Sequence, residues 1–463
     1  MSKRILLSII VLAVVFCIGL SLVLIPGAFM LAAQNLGLNQ DAAQATPTRT
    51  PVVLPTSTPG SNLPADIERQ MDQIQVEVMK IRGLTLNAPL LRDVLSPEEL
   101  QDRVAKEFFA DYTDEEAGHD AALFHVWGFL QADFDLVNFF KALYSEQVAG
   151  YYDSETKEMY VVLAEGFFGN ERMTYAHEFA HVLQDQTFDL RNGMLLNSEY
   201  CEENTEYCAA VTALVEGDAT KTQLAWFWQY ATPQDQQQVQ QASETFESPV
   251  FDTAPGFIQE DLLFPYIYGL EFVQSLYDRG GWEAIDAAYA NPPVSTEQIL
   301  HPDRYPSDLP VLVVLPDLGP ILGDGWTEIV DDVMGQWSTY LVLTESRDSA
   351  AQLPAEVARI AAAGWGGDAY AAFSFDDTGQ ILLLHRWLWD TSADATEFWD
   401  AFSDYSRARW GDPDSSTSGR MIWEETPYGW VAVVRSGDEV LWLIAPNAEV
   451  AAQILDQMPE FQE

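Results

Sequence analysis

The chain has 463 residues, 48% hydrophobic and 12% aromatic, enough for two or three domains with substantial cores. It carries 71 Asp and Glu against 23 Lys and Arg, a formal net charge of −48. A surface so acidic repels phosphate backbones and anionic headgroups, which excludes nucleic-acid binding as a function class. The acid excess runs along the whole chain. Such a solvated surface suits a salty or an acidic medium, and the sequence does not choose between them.

Lys3 and Arg4 precede an apolar run from Ile5 to about Ala33, broken only by Ser8, Ser21 and Pro26. A bilayer span takes roughly 20 apolar residues, so residues 1–33 are expected to be an uncleaved transmembrane anchor. Pro26-Gly27-Ala28 keeps the alternative of signal cleavage and secretion open. Cys17 follows the bulky Phe16, which argues against a lipid-modified cysteine. With the basic pair held inside, the remainder faces out of the cell, and the bilayer is its expected lipid partner. Residues 34–64, with TPTRTPVVLPTSTPG, read as a disordered Thr/Pro-rich stalk. Disulfides are permitted outside, and Cys201 and Cys208 in YCEENTEYC either close a short loop or remain two thiols.

Folding is expected from about Asp66, where IERQMDQIQVEVMKIRGL has helical spacing and a stop at Gly83. In SPEELQDRVAKEFFADY, Ser96 is the cap, Pro97 the first helical residue and Glu99 the far side of a capping box. Helical runs follow over 115–130 and 135–148. GYYDSETKEMYVVL switches to a period of two, a hairpin with Tyr151-Tyr152 on one arm and Met159–Val162 on the other. Asn170 caps the next helix, another covers about 209–229, and FPYIYGLEFVQSLYDRGGW and the segment 324–344 complete the helical part. Beyond about Gly364, DAYAAFSF and ILLLHRWLW, then GWVAVVRS and VLWLIA, are strand pairs each followed by a helix, with RMIWEE extending the sheet. The predicted class is α+β: a mostly helical domain with a small hairpin sheet over 65–345, and a two-layer α+β domain over 346–463, a candidate ββα duplication.

The chemistry sits in TYAHEFAHVLQDQ. His177 and His181 are one helical turn apart and point from one face, so both imidazoles can bind one Zn²⁺. Glu178, about 100° around the helix, is placed to activate a water on the zinc as general base. A catalytic zinc needs a third protein ligand. ALVEGDAT offers Glu216 within a later helical run, and Asp185, one turn past His181, is its rival.

HEFAH and LVEGDAT together resemble the gluzincin zinc metallopeptidases, over roughly 147–340. The resemblance implies a zincin-like fold, peptide-bond hydrolysis, zinc held by His177, His181 and Glu216, and Glu178 as base. It also implies an oxyanion donor downstream, for which Tyr266, Tyr268 and His301 are candidates, and a substrate-pairing edge strand at Met159–Leu163. One departure stands out. The acidic residue four past the ligand glutamate is Thr220 here, leaving Asp218 or Asp185 to orient a ligand imidazole. His119, His125 and His385 stand alone, in core or surface roles.

The expectation is a membrane-anchored, extracytoplasmic zinc metallopeptidase acting on a peptide or protein. Two others stand beside it: a non-catalytic zinc-containing surface module, and a zinc amidase with a non-protein substrate. The surface module fits Glu178 poorly, since a structural ion has no use for a base.

Overall fold

A computed structural model describes residues 63–462, apart from 104–105, 107–111, 148–149, 164–165, 246 and 376–377. The expected anchor, and the expected stalk up to residue 62, lie outside the described residues. Among the described residues no helix is long and apolar enough to cross a membrane.

Helix α1 (Ala65–Arg82) ends at Gly83, whose φ of 76° is the left-handed conformation glycine adopts at low cost. A short strand not expected from the sequence, β1 (Leu91–Leu95), comes next. Helix α2 (Pro97–Arg103) starts at the anticipated capping box: Ser96 N donates to Glu99 Oε2 at 2.8 Å, and Glu99 N to Ser96 Oγ at 3.2 Å. After α3 (Asp114–Trp127) and α4 (Leu136–Gln147), strands β2 (Gly150–Asp153) and β3 (Glu158–Val162) form the hairpin, with Tyr151 opposite Tyr160. β1 pairs in parallel with β3, so the sheet order is β1-β3-β2. This corrects the expected role of Met159–Leu163. β3 is the central strand, its backbone paired on both sides, and among the described residues the outer strands are β1 and β2.

Helix α5 (Gly169–Phe188) starts just ahead of Asn170, which is therefore not its cap; instead Glu171 Oε2 accepts from Phe168 N at 2.9 Å. Cys201, in the helical turn Ser198–Cys201, is disulfide-bonded to Cys208 in α6 (Thr205–Tyr230). Helix α7 (Pro233–Thr245) leads to α8 (Gly256–Ala290), which is interrupted at Gly280 and Gly281, and α9 (Thr296–Leu300) closes this part. Helices α6 and α8 cross with almost no side chain between them: a Cβ on Gly217 would stand 2.2 Å from Gly269 O.

The segment 324–344 divides. Its first half is a strand, β4 (Trp326–Asp332), and only Gly335–Thr344 is helical (α10). Pairing with a neighbouring strand outweighs the weak helical spacing of WTEIVDD. Helix α11 (Ala355–Ala362), β5 (Trp365–Phe375), β6 (Gln380–Trp389), α12 (Ser392–Trp410), β7 (Ser415–Thr417), β8 (Arg420–Thr426), β9 (Gly429–Ser436), β10 (Glu439–Ala445) and α13 (Ala448–Leu455) follow. The sheet is antiparallel, in the order β4-β5-β6-β10-β9-β8-β7. The two expected ββα units meet at the β6–β10 pair. Their helices cover opposite faces: Phe398 and Phe402 of α12 pack with Trp387 and Trp442, whereas Ile454 and Leu455 of α13 pack with Leu382 and Leu443. Both faces of ILLLHRWLW are apolar, so each needs a cover.

Side-chain bonds join the sheet to the helical part. Tyr405 Oη donates to Trp127 O at 2.8 Å, and Thr205 Oγ1 to Asp332 Oδ2 at 2.7 Å. Buried Asp368 accepts from Met334 N at 2.8 Å and Gly335 N at 2.9 Å, and contacts His385 Nε2 at 2.9 Å. His385 thus has a core role, and His125 turns its Nδ1 to Leu130 O at 2.9 Å.

Candidate metal centre

Helix α5 is an interior helix. Tyr175, Phe179, Val182 and Leu183 are buried around it, and so are His177, Glu178 and His181. Its two imidazoles face α6, whose Glu216 is brought alongside by an apolar helix face and by the neighbouring Gly217. His177 Nε2 and His181 Nε2 are 3.0 Å apart, and Glu216 Oε2 lies 3.1 Å from the first and 3.5 Å from the second. Three ligand atoms from two helices therefore converge on one point. His177, His181 and Glu216 can hold a metal ion.

The electrostatics fit that use. Burial alone would raise the Glu216 carboxyl, but the facing imidazoles, His181 foremost, outweigh it and hold the group down at about 2. Burial pushes the His177 ring below its ordinary value, so it is uncharged near neutrality. A carboxylate buried against two imidazoles is a donor set that a bound cation would satisfy. Glu216 Oε1 and His177 Nδ1 are buried without a hydrogen-bond partner. Gln223 faces the His177 ring and favours its protonated form, though short of good hydrogen-bond geometry.

Glu178 stands apart from the ligand set. Burial, and then the charge on Glu216, push its carboxyl well above the usual range. The Tyr152 backbone amide at the β2 edge pulls the other way, yet neither carboxylate oxygen has a hydrogen bond of ordinary geometry. This buried carboxyl lies one residue from His177, on the same helix as both imidazoles.

Asp185 is committed elsewhere: Tyr152 Oη and Lys157 Nζ each lie 2.7 Å from its Oδ2, fastening the β2–β3 hairpin to α5. Gln184 turns its Oε1 to His181 Nδ1 at 2.7 Å, and Asp218 lies behind Gln184. The imidazole is therefore oriented by an amide that sequence reasoning passed over, since a glutamine one turn past a histidine carries no metal-binding signature. Thr220, where the gluzincin pattern has an acid, is buried with its hydroxyl unpartnered.

The downstream candidates separate. Tyr266 is buried with its ring 6.3 Å from that of His177. Tyr268, about 200° further around α8, packs on Phe264 at 5.5 Å and Trp337 at 5.2 Å. His301 Nε2 is 3.0 Å from Gln336 Nε2 on α10. Tyr268 and His301 are thus placed among side chains of the C-terminal junction, not with the triad. Beside Glu216 is a recess of about 20 Å³, room for one or two waters, lined by Tyr152, Leu190, Leu196, Thr212 and Val215. The Thr212 hydroxyl there is buried and unpartnered.

A family profile described as a domain of unknown function, DUF8575, matches residues 325–455. That stretch begins one residue before β4 and ends with α13, so it covers the seven-stranded sheet and leaves out the helices of the metal centre. No curated protein and no solved structure matches the chain.

Proposed function

We propose that the protein is a zinc-dependent peptidase of the gluzincin type, anchored to a membrane by the apolar run before its stalk. The observation that carries this reading is Glu178: a buried, unpartnered carboxylate beside a three-ligand site. A purely structural ion has no need of such a group. Among the described residues the centre offers three ligands and no fourth, the arrangement of catalytic zinc. Bonds of 2.0–2.1 Å to a tetrahedral zinc put ligand atoms about 3.3–3.4 Å apart. The separations of 3.0, 3.1 and 3.5 Å bracket that value.

Zinc bound there would supply Lewis-acid chemistry, polarising a carbonyl and making water nucleophilic near neutral pH. The chain's own groups do the rest. Glu178 accepts the proton of the attacking water and passes it to the leaving nitrogen. An extended peptide lies alongside β2, the outer strand whose Tyr152 amide adjoins Glu178. Tyr266, rather than Tyr268 or His301, is the polar-tipped ring beside the site and takes the oxyanion-donor role. The disulfide between Cys201 and Cys208 suits an extracytoplasmic location. The direct test is hydrolysis of an unfolded protein: a chelator should abolish it and added Zn²⁺ restore it, and chelator-resistant activity would refute the reading.

A further inference from the structure

Which nitrogen of His181 can face an ion depends on what its other nitrogen touches, and that chain of contacts crosses four helices. His181 Nδ1 is 2.7 Å from Gln184 Oε1. An amide oxygen only accepts, so Nδ1 carries the ring proton and Nε2 keeps its lone pair for the metal. This holds only while the amide keeps one orientation. Gln184 Nε2 donates to Asp218 Oδ2 and to Val215 O, each at 3.0 Å. Neither acceptor has a proton to give. Val215 O is a backbone carbonyl, and Asp218 is already engaged by Arg82, whose Nε donates to Oδ1 at 2.8 Å and to Oδ2 at 3.1 Å. Tyr289 Oη adds a third donor to Asp218, at 2.8 Å. A flipped Gln184 would set oxygen against oxygen at two contacts. All these side chains are buried, so water cannot substitute.

We propose that Gln184, Asp218 and Arg82 are positioning residues that set the tautomer of His181, through an amide relay in place of a carboxylate on the imidazole. The relay makes the end of α1 part of the metal centre, about a hundred residues ahead of the ligands it serves. Thr220, with its unpartnered hydroxyl, leaves the acid of the gluzincin pattern without a substitute at that position. The inference rests on the metal-site reading above.

The test uses the full chain labelled with ¹⁵N only at its six histidines. Long-range ¹H–¹⁵N spectra of the metal-free protein at neutral pH report each ring's tautomer, with His181 assigned by its loss in His181→Gln. The expected result is a proton on Nδ1 of His181 in the wild type. In Asp218→Asn, whose side chain can also donate, the signal should move toward the other tautomer. Zinc affinity, by competition with a chromogenic chelator, should fall about 10–100-fold in Asp218→Asn and Gln184→Leu. A wild-type His181 protonated on Nε2 overturns the proposal, as does unchanged zinc affinity in both variants. A wild type that binds no zinc would instead defeat the metal-site reading, while its tautomer still decides the relay. If the variants fail to fold, the wild-type spectrum decides alone.

Discussion

Gly217 and Gly269 meet backbone to backbone where α6 crosses α8. A Cβ on the first would fall 2.2 Å from Gly269 O, and one on the second 2.1 Å from Ala213 O. The contact sits next to Glu216 and three residues along α8 from Tyr266. Close approach of these helices therefore brings both Glu216 and Tyr266 alongside His177.

Gly217→Ala forces a methyl into fixed backbone. Overpacking of this kind costs about 1–3 kcal/mol, and the displaced Glu216 should lower bound zinc as well. Denaturant midpoint and metal content measured on the same sample check both effects. Wild-type values for each would show that the crossing does not position the ligand.

Stability should decline from weakly acidic to weakly alkaline pH. Burial, reinforced by Asp368 and Glu297, pushes the Glu206 carboxyl up to about 8, and burial pushes Asp332 up to about 7. Both bind a proton more tightly folded than unfolded. Their contribution is therefore fully present below the ordinary carboxylate range and is lost as pH rises through about 7 to 8. Melting temperature between pH 5.5 and 8.5 should fall, and Glu206→Gln should flatten that fall. An equally steep decline in the variant would remove Glu206 from the explanation.

The recess beside Glu216 should confine one substrate position to small side chains. Leu196→Ala enlarges it, and cleavage-site profiling should then shift toward bulkier residues, by roughly tenfold for each methylene accommodated. An unaltered profile would mean that the recess does not receive substrate.

The candidate metal site was legible because coordination dictates spacing. Two imidazoles at i and i+4, followed by a carboxylate on a later apolar helix, leave few other readings of HEFAH and LVEGDAT. The strands after Gly364 were legible because ILLLHRWLW and VLWLIA are short apolar runs that follow the turns DDTG and GD. Partner choice was not legible. LRDVL gives no sign that it will lie parallel to β3, and that pairing takes the free edge from Met159–Leu163. WTEIVDD buries only Ile329, Val330 and Asp332, too little for its alternation to show. Tyr266 and Tyr268 differ only in where α6 crosses α8, which no local pattern encodes.

The central claim is that Glu178 moves protons and does not hold the ion. Glu178→Gln keeps shape and volume and removes the basic oxygen. Its zinc content should match wild type while turnover of an unfolded protein substrate falls to background; Glu216→Ala should lose the metal itself. Wild-type turnover by Glu178→Gln, with zinc in place, would contradict the account.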